Sequence, residues 1–168
     1  MDAGNDNSQA ATGDAAGATA ALPSDREIVI TRVFRAPRTA VFDAWTRAEQ
    51  VAAWWDPSRV PLASCEIDLR PNGAFRFVPQ GRDAEKRAFA GRYREIVPPR
   101  RLVFTTLGPL TGAESIGTIL FDELNETTTI TLTIECASRA DRDALLRMRV
   151  DVGTAQTLAN LADYLDGR

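Results

Sequence analysis

The chain has 168 residues, enough for one domain that buries a sizeable core or lines a cavity. Its 20 basic and 23 acidic side chains are interspersed and give a net charge of −3, so no stripe of one sign could follow a phosphate backbone, and we expect no nucleic-acid partner. No apolar run approaches the length of about twenty residues that a spanning helix needs, and the N-terminus lacks the basic and apolar regions of a secretory signal. We therefore expect no membrane span and a cytoplasmic protein.

Histidine is missing from the sequence. Its absence removes the usual general base near neutral pH, the histidine-dependent nucleophile triads and every histidine-containing metal motif. The two cysteines, Cys65 and Cys136, are too few for a thiolate zinc site and form no CxxC pair. We therefore expect neither a metal nor a cofactor, and any catalysis would fall to carboxylates, tyrosine or arginine.

The N-terminal segment contains mainly Ala, Gly, Asn, Asp and Ser and shows no apolar periodicity. Such a segment buries too little apolar surface to offset its ordering entropy, so the composition predicts a disordered tail at 1–24 and a single domain at 25–168. Apolar and polar residues alternate over 27–34, which predicts the first strand. Pro37 then suits the first turn of a helix, and apolar residues at helical spacing up to Asp56 predict two short helices.

All three tryptophans, Trp45, Trp54 and Trp55, lie on this predicted helix pair. Adjacent helical residues point about 100° apart, so Trp54 and Trp55 cannot both face the centre of a core. One of them is expected at an edge, beside solvent or a ligand. The cluster therefore indicates either a heavily packed helix corner or the wall of a pocket.

Six further segments alternate in the same way, with turn residues between them. These strands are predicted at 64–70, 74–78, 88–97, 101–107, 114–124 and 127–136. Ser138 to Leu165 then carries apolar residues along one stripe, which predicts one long amphipathic helix with Ser138 as its N-cap. The expected fold class is α+β: a seven-stranded antiparallel sheet curled around a long C-terminal helix, with two short helices after the first strand.

Five stretches of the sequence occur in the order of a known family's signature segments. They are ITRVFRAPRTAVFDAWT (30–46), VAAWWDP (51–57), CEIDLRPNGAFRF (65–77), GRYREIVPPRRLVFT (91–105) and TLANLADYL (157–165). Together they resemble the START-like (SRPBCC) superfamily, most closely the branch named after the C-terminal domain of the activator of the heat-shock ATPase. The resemblance implies a helix-grip fold with an apolar cavity under the long helix.

The resemblance also implies that the cavity takes a small apolar or amphipathic ligand, in a stress-related role. The residues expected to bind that ligand lie on the inferred inner faces of the strands and on the helices; they are Trp54, Trp55, Phe75, Phe77, Phe89, Tyr93, Phe104, Met148, Val152 and Gln156. Trp45 and Trp55 are expected to anchor the helix pair, and Trp54 is expected at the mouth of the pocket. No catalytic residue is assigned, and we expect a binding protein rather than an enzyme.

Two other functions stay open on the same scaffold. A cyclase- or hydratase-type enzyme would use a carboxylate such as Glu95 beside Tyr93, although a position near the strand end favours a solvent-exposed Glu95. A co-chaperone-like interaction module would have a filled core and an exposed apolar patch. A homodimer or a chaperone partner is compatible with the resemblance, but no motif in the sequence supports either one.

Two details of the resemblance bear on the cavity and on the cysteines. Relatives often carry Gly-Trp where this chain has Gly153-Thr154, so a bulky group is expected to be missing near the cavity. The family topology would place the first strand between the strands of Cys65 and Cys136, with the thiols about 10 Å apart at strand spacing and beyond disulfide reach. We therefore predict two buried free thiols.

Overall fold

The structure is a computed structural model that describes residues 12–15, 17–108 and 111–167. The strands are β1 (Thr12–Ala15), β2 (Ala18–Ala21), β3 (Glu27–Phe34), β4 (Ser64–Ile67), β5 (Ala74–Val78), β6 (Phe89–Val97), β7 (Arg101–Leu107), β8 (Glu114–Leu124) and β9 (Thr127–Glu135). The helices are α1 (Arg38–Thr46), α2 (Ala48–Trp54), α3 (Arg139–Arg147) and α4 (Val150–Leu165). A short 3₁₀ turn, Ala84–Arg87, lies between β5 and β6.

The nine strands found among the described residues form one sheet in the order β1-β2-β3-β9-β8-β7-β6-β5-β4. Every neighbouring pair is antiparallel. The α+β class, the single antiparallel sheet, the two short helices after β3 and the C-terminal helical segment are therefore confirmed, whereas the predicted number of seven strands is wrong. The two additional strands, β1 and β2, form a hairpin on the outer edge of β3.

Strands β3 and β9 show why the sheet has one buried face. Ile28 and Ile30 of β3 lie directly opposite Ile134 and Leu132 of β9; Ile28, Ile30 and Leu132 belong to the hydrophobic core, and Ile134 packs against it. The alternate positions of β9 carry threonines that are partly exposed. Because successive side chains of a strand point to opposite faces, the apolar residues collect on the inner face. Helix α4 packs against β2, β3 and α2, so the inner face is covered by the C-terminal helix.

The N-terminal hairpin departs from the disordered tail predicted at 1–24. Strand β2 pairs with β3 along its whole length, from Ala18 opposite Arg32 to Ala21 opposite Val29, and Ala18 is buried. Backbone hydrogen bonds to the edge of β3 account for the order of a segment that has few large apolar side chains. The predicted tail is thus wrong for 12–15 and 18–21, and its residues 1–11 and 16 lie outside the described part of the chain.

The hairpin also explains why the predicted surroundings of the cysteines are wrong. Strands β2 and β9 flank β3, so β4 is not its neighbour; Cys65 on β4 and Cys136 after β9 are separated by β8, β7, β6 and β5. Both thiols are free, as predicted. Cys136 is buried, but Cys65 is only partly buried because β4 lies at the edge of the sheet.

The C-terminal helical segment consists of two helices rather than one. Helix α3 begins at the predicted N-cap, where Ser138 Oγ accepts a hydrogen bond from the Asp141 N–H at 3.1 Å. The backbone of Arg149 then enters the left-handed region with a φ of 59°, and α4 begins at the next residue. A left-handed residue interrupts the right-handed hydrogen-bond ladder, so the predicted single helix from Ser138 to Leu165 is wrong. None of the helices in the described part of the chain is long and apolar enough to cross a membrane.

Candidate ligand-binding cavity

A cavity of about 370 Å³ lies between the inner face of the sheet and α4. Strands β5 to β9 form one wall, and residues of α1, α3 and α4, of the α3–α4 junction and of the segment after α2 form the other. Most of the side chains that face the cavity are apolar. Its volume falls within the range of about 300–1,000 Å³ that is typical of small-molecule sites.

Aromatic rings from neighbouring strands make up much of the wall. The Phe75 centroid lies 5.1 Å from the Tyr93 centroid and 5.6 Å from that of Phe104. Trp55 lies 4.8 Å from Phe77 by the same measure. Phe75, Tyr93 and Phe104 occupy inner-face positions on the neighbouring strands β5 to β7, so the pleat of the sheet brings their rings together, and Trp55 packs onto them from the end of α2. Among the predicted site residues, those that line the cavity are Trp55, Phe75, Phe77, Phe89, Tyr93, Phe104 and Met148.

Two glycines of the inner face allow the rings to lie close to the sheet. Gly117 is opposite Phe104, and a Cβ at Gly117 would stand 2.3 Å from Phe104 Cζ. Gly91 is opposite Phe75, and a Cβ there would stand 2.1 Å from the Thr105 carbonyl oxygen and 2.7 Å from Phe75 Cζ. Each ring therefore occupies space that a larger residue would fill. Sequence reasoning missed this role, although a glycine on the inner face of a strand is the expected signal of close approach.

One of the tryptophans, Trp54, does not take its predicted place. Trp54 is buried in the core, and its Nε1–H donates to the carbonyl oxygen of Ala44 at 3.0 Å. Trp55, the next residue, caps the end of α2 and lines the cavity. Trp45 also lines the cavity and packs edge-to-face on Trp54, with the ring centroids 5.0 Å apart. The prediction of Trp54 at the pocket mouth is therefore wrong, because α2 turns Trp54 back towards α1 and the 100° step per residue carries Trp55 to the cavity.

Helix α4 presents other residues to the cavity than those predicted. Val152 is 40% exposed, and Gln156 donates a hydrogen bond to Asn160 Oδ1 at 3.1 Å; neither belongs to the described cavity lining. Asn160 in turn donates to the carbonyl oxygen of Asp56 at 2.8 Å, which ties α4 to the loop after α2. The residues of α4 that do line the cavity are Val150, Gly153, Thr154, Thr157 and Leu158. A Cβ added at Gly153 would have no atom within 4 Å, so the helix does not approach the sheet closely there.

The interior of the cavity carries a few neutral polar groups. The Nε1–H of Trp45 is buried and finds no hydrogen-bond acceptor within the described residues. A buried donor without an acceptor costs about 1–3 kcal/mol. Burial, with a smaller contribution from Cys65, raises the pKa of the Tyr93 hydroxyl further above neutral pH, where this group is protonated. The interior therefore favours molecules that are mostly apolar.

Tyr93 and Glu95, the pair considered for a cyclase or hydratase, are not brought together in the cavity. Glu95 is half exposed and forms an ion pair with Arg101 at 3.4 Å, whereas Tyr93 faces inward. A register shift between Tyr93 and Glu95 removes the carboxylate from the inner face that strict alternation would give it. No carboxylate lines the cavity in the described part of the protein. The same residues contain no group of three or more His, Cys, Asp or Glu side chains that could hold a metal ion.

An antiparallel sheet that encloses an apolar cavity against a C-terminal helix is the helix-grip architecture of the START-like (SRPBCC) class, and this chain has that fold. The sequence comparison narrows the class. Residues 35–166 match the family described as "Activator of Hsp90 ATPase homolog 1-like protein", and the chain belongs to that family. A comparison with curated proteins finds no match.

Several solved bacterial structures share the fold at low sequence identity. A protein from Rhodobacter sphaeroides matches with a TM-score of 0.78 at 20% identity, over 89% of this chain and 98% of its own. A protein from Nitrosomonas europaea matches with a TM-score of 0.75 at 22% identity, over 87% and 97% of the two chains. One from Mycobacterium smegmatis gives 0.71 at 21%, over 95% and 98%. At these identities the likeness shows the fold alone.

Proposed function

We propose that the protein binds a small apolar or amphipathic molecule in the cavity between α4 and the sheet. The observation that supports this most is the volume of about 370 Å³ between aromatic and aliphatic side chains. Protein interiors are close-packed and contain few voids larger than a water molecule, so a space of this size is far beyond ordinary packing gaps. Proteins of this fold commonly bind hydrophobic ligands.

The proposed binding residues divide into an apolar surface and an orienting group. The rings of Phe75, Phe89 and Phe104 offer flat surfaces for dispersion contacts. Tyr93 adds a protonated hydroxyl at the sheet wall. A ligand with one acceptor group would therefore be held in a defined orientation.

The two alternative functions have less support. An interaction module would have a filled core, and the cavity weighs against it. A cyclase or hydratase would need a carboxylate at the cavity, and the exposed position of Glu95 weighs against that. A cytoplasmic location and a stress-related role belong to the same proposal; cell fractionation and protein abundance after heat shock test them.

Two measurements test the proposed binding directly. A native mass spectrum of the purified protein, compared with the denatured spectrum, would reveal a co-purified molecule as a mass that disappears on unfolding. Titration with the neutral fluorophore N-phenyl-1-naphthylamine should show saturable binding of one probe per chain. Tryptophan emission should change in the same titration, because Trp45 and Trp55 line the cavity.

A matched pair of variants on α4 locates the binding. Thr154 lines the cavity, whereas Val152 lies outside its lining and is 40% exposed. Thr154→Phe should weaken probe binding about tenfold, which corresponds to about 1.4 kcal/mol, because the added ring takes up cavity volume. Val152→Phe should leave the affinity unchanged. Equal affinities in the two variants, or no saturable binding by the unaltered protein, would contradict the proposal.

A further inference from the structure

One charged residue belongs to the described lining of the cavity. Of the described lining residues, Arg149 is the one that carries a charge at neutral pH. It stands at the junction of α3 and α4, next to Met148 in the chain. Met148 is 67% exposed and Leu107, on the facing strand, is 72% exposed, so this is where the cavity reaches solvent. The cation is thus placed at the mouth of an otherwise uncharged cavity.

The guanidinium of Arg149 has no partner within the described residues: no hydrogen bond or ion pair of its side chain is formed there. Arg142, on the preceding helix, provides a contrast. Its guanidinium contacts Asp143 at 2.9 Å and donates to the carbonyl oxygen of Ser24 at 2.7 Å. The charge of Arg142 is therefore used within the fold, while that of Arg149 is available to an incoming group.

The backbone gives no reason for an arginine at this position. The φ of 59° and ψ of 39° at Arg149 lie in the left-handed region, which glycine adopts without steric cost. Arg149 is also the N-cap residue of the sixteen-residue α4, but its side chain makes no capping hydrogen bond. Since neither a cap nor an ion pair accounts for the side chain, its position at the cavity mouth is the feature that distinguishes it.

We propose that the ligand is an apolar anion, with its apolar body inside the cavity and its anionic group, such as a carboxylate or sulfonate, at Arg149. This inference rests on the proposed function and names the ligand class of the same site. An unpaired charge among the aromatic rings would be very costly, so the anionic group belongs at the mouth, where both water and a cation are present. A guanidinium also offers two parallel N–H groups that match a carboxylate or a sulfonate.

Two probes that share one skeleton test the proposal. The first is N-phenyl-1-naphthylamine, which is neutral, and the second is 8-anilinonaphthalene-1-sulfonate, which adds one sulfonate. The unaltered protein should bind the sulfonate about fivefold more tightly than the neutral probe, the effect expected of an exposed ion pair. The preference for the sulfonate probe should fall as salt is raised from about 20 to about 500 mM, because the Debye screening length then decreases from roughly 20 to roughly 4 Å.

Variants of two neighbouring arginines separate a local contact from general attraction. Arg149→Gln should remove the preference for the sulfonate and leave the neutral probe unchanged. Arg149→Gly should do the same without loss of thermal stability, because glycine relieves the left-handed backbone. Arg147→Gln is the matched control: Arg147 is exposed, lies two residues away and does not belong to the described lining. It should keep the preference.

Each remaining outcome overturns the inference in a distinguishable way. If the neutral probe binds in the cavity and the sulfonate binds no better, the ligand class is wrong while the proposed function stands. If Arg149→Gln weakens both probes equally, Arg149 supports the fold rather than an anion. If Arg147→Gln abolishes the preference for the sulfonate probe as fully as Arg149→Gln, the sulfonate is attracted by the general positive charge of this region rather than by Arg149 at the cavity mouth. If neither probe binds, the proposed function itself fails.

Discussion

Two glycines of the cavity wall provide a direct test of how the space is kept open. Gly117 of β8 and Gly153 of α4 both line the cavity, but a methyl group would meet very different surroundings at the two positions. At Gly117 it would stand 2.3 Å from Phe104 Cζ, and at Gly153 it would find no atom within 4 Å. We expect Gly117→Ala to destabilise the protein and reduce the cavity, and Gly153→Ala to stabilise it.

The size of each effect follows from the geometry. Ordinary carbon contacts are about 3.5–4.0 Å, so the ring of Phe104 must move by more than about 1 Å in Gly117→Ala. Overpacking of this kind costs about 1–3 kcal/mol, offset by about 0.5–1 kcal/mol because glycine is itself unfavourable within a strand. A net loss of about 1 kcal/mol lowers the Tm by about 2–4 °C in a domain of this size. Gly153→Ala removes a mid-helix glycine and should raise the Tm by a similar amount.

Thermal unfolding followed by circular dichroism, together with titration of N-phenyl-1-naphthylamine, measures both consequences. Gly117→Ala should bind the probe more weakly. Phe104 lines the cavity, so a ring displaced by the new methyl group would move into the cavity and reduce its volume. Phe104→Leu combined with Gly117→Ala should recover part of the lost stability, because the smaller side chain removes the clash. Gly153→Ala serves as the control for adding a methyl to the cavity wall.

A Gly117→Ala variant that melts as high as Gly153→Ala and binds the probe like the unaltered protein would refute this reasoning. That result would mean that the ring of Phe104 does not depend on the missing side chain of Gly117. If Gly117→Ala loses stability but binds the probe as before, the ring of Phe104 does not move into the cavity, and that part of the prediction is wrong.

Three further predictions concern the surroundings of the cavity. Trp54→Phe removes the indole hydrogen bond to the Ala44 carbonyl and should lower the free energy of unfolding by about 1–3 kcal/mol, as measured by urea denaturation; a loss below 0.5 kcal/mol would contradict a role for that bond. Asn160→Ala should cost about 1–2 kcal/mol in the same assay and increase hydrogen exchange near Asp56, whose carbonyl loses its donor. Burial, with smaller contributions from nearby acidic groups, raises the pKa of the Cys65 thiol to about 11. Because the thiolate is the reactive form, alkylation of Cys65 by iodoacetamide should be slow at pH 8 and should keep rising up to about pH 11; a plateau near pH 9 would contradict this.

The sheet could be predicted from the sequence because its signal is local. Residues 127–135 alternate apolar and threonine side chains, and the structure pairs this strand with β3 and β8 over nearly its whole length. The aromatic side of the cavity followed from the same alternation, since Phe75, Phe77 and Phe89 fall on inner-face positions. Period-two patterning specifies which face a residue occupies, and that was enough for this wall.

The departures arise where the deciding interaction is not local. Ala18 and its neighbours are ordered by pairing with β3, and their composition carries no trace of that partner. The break at Arg149 contains neither glycine nor proline, so the helical pattern continues through it. That break resets the register of α4, which is why Val152 and Gln156 were assigned to the cavity and lie elsewhere. Similarly, which of Trp54 and Trp55 faces the core depends on how α2 meets α1.

The N-terminal hairpin has a consequence for how this protein behaves in concentrated solution. Strand β3 is eight residues long, and β2 covers the edge that it does not share with β9. A shortened chain that begins at residue 25 would leave that edge open, and a long unpaired edge is a template for strand pairing between molecules and for aggregation. Strand β1, by contrast, has four residues and an irregular register, both of which discourage recruitment of another chain. The segment with the least core-like composition thus covers the edge of β3 that would otherwise be open to strand pairing between molecules.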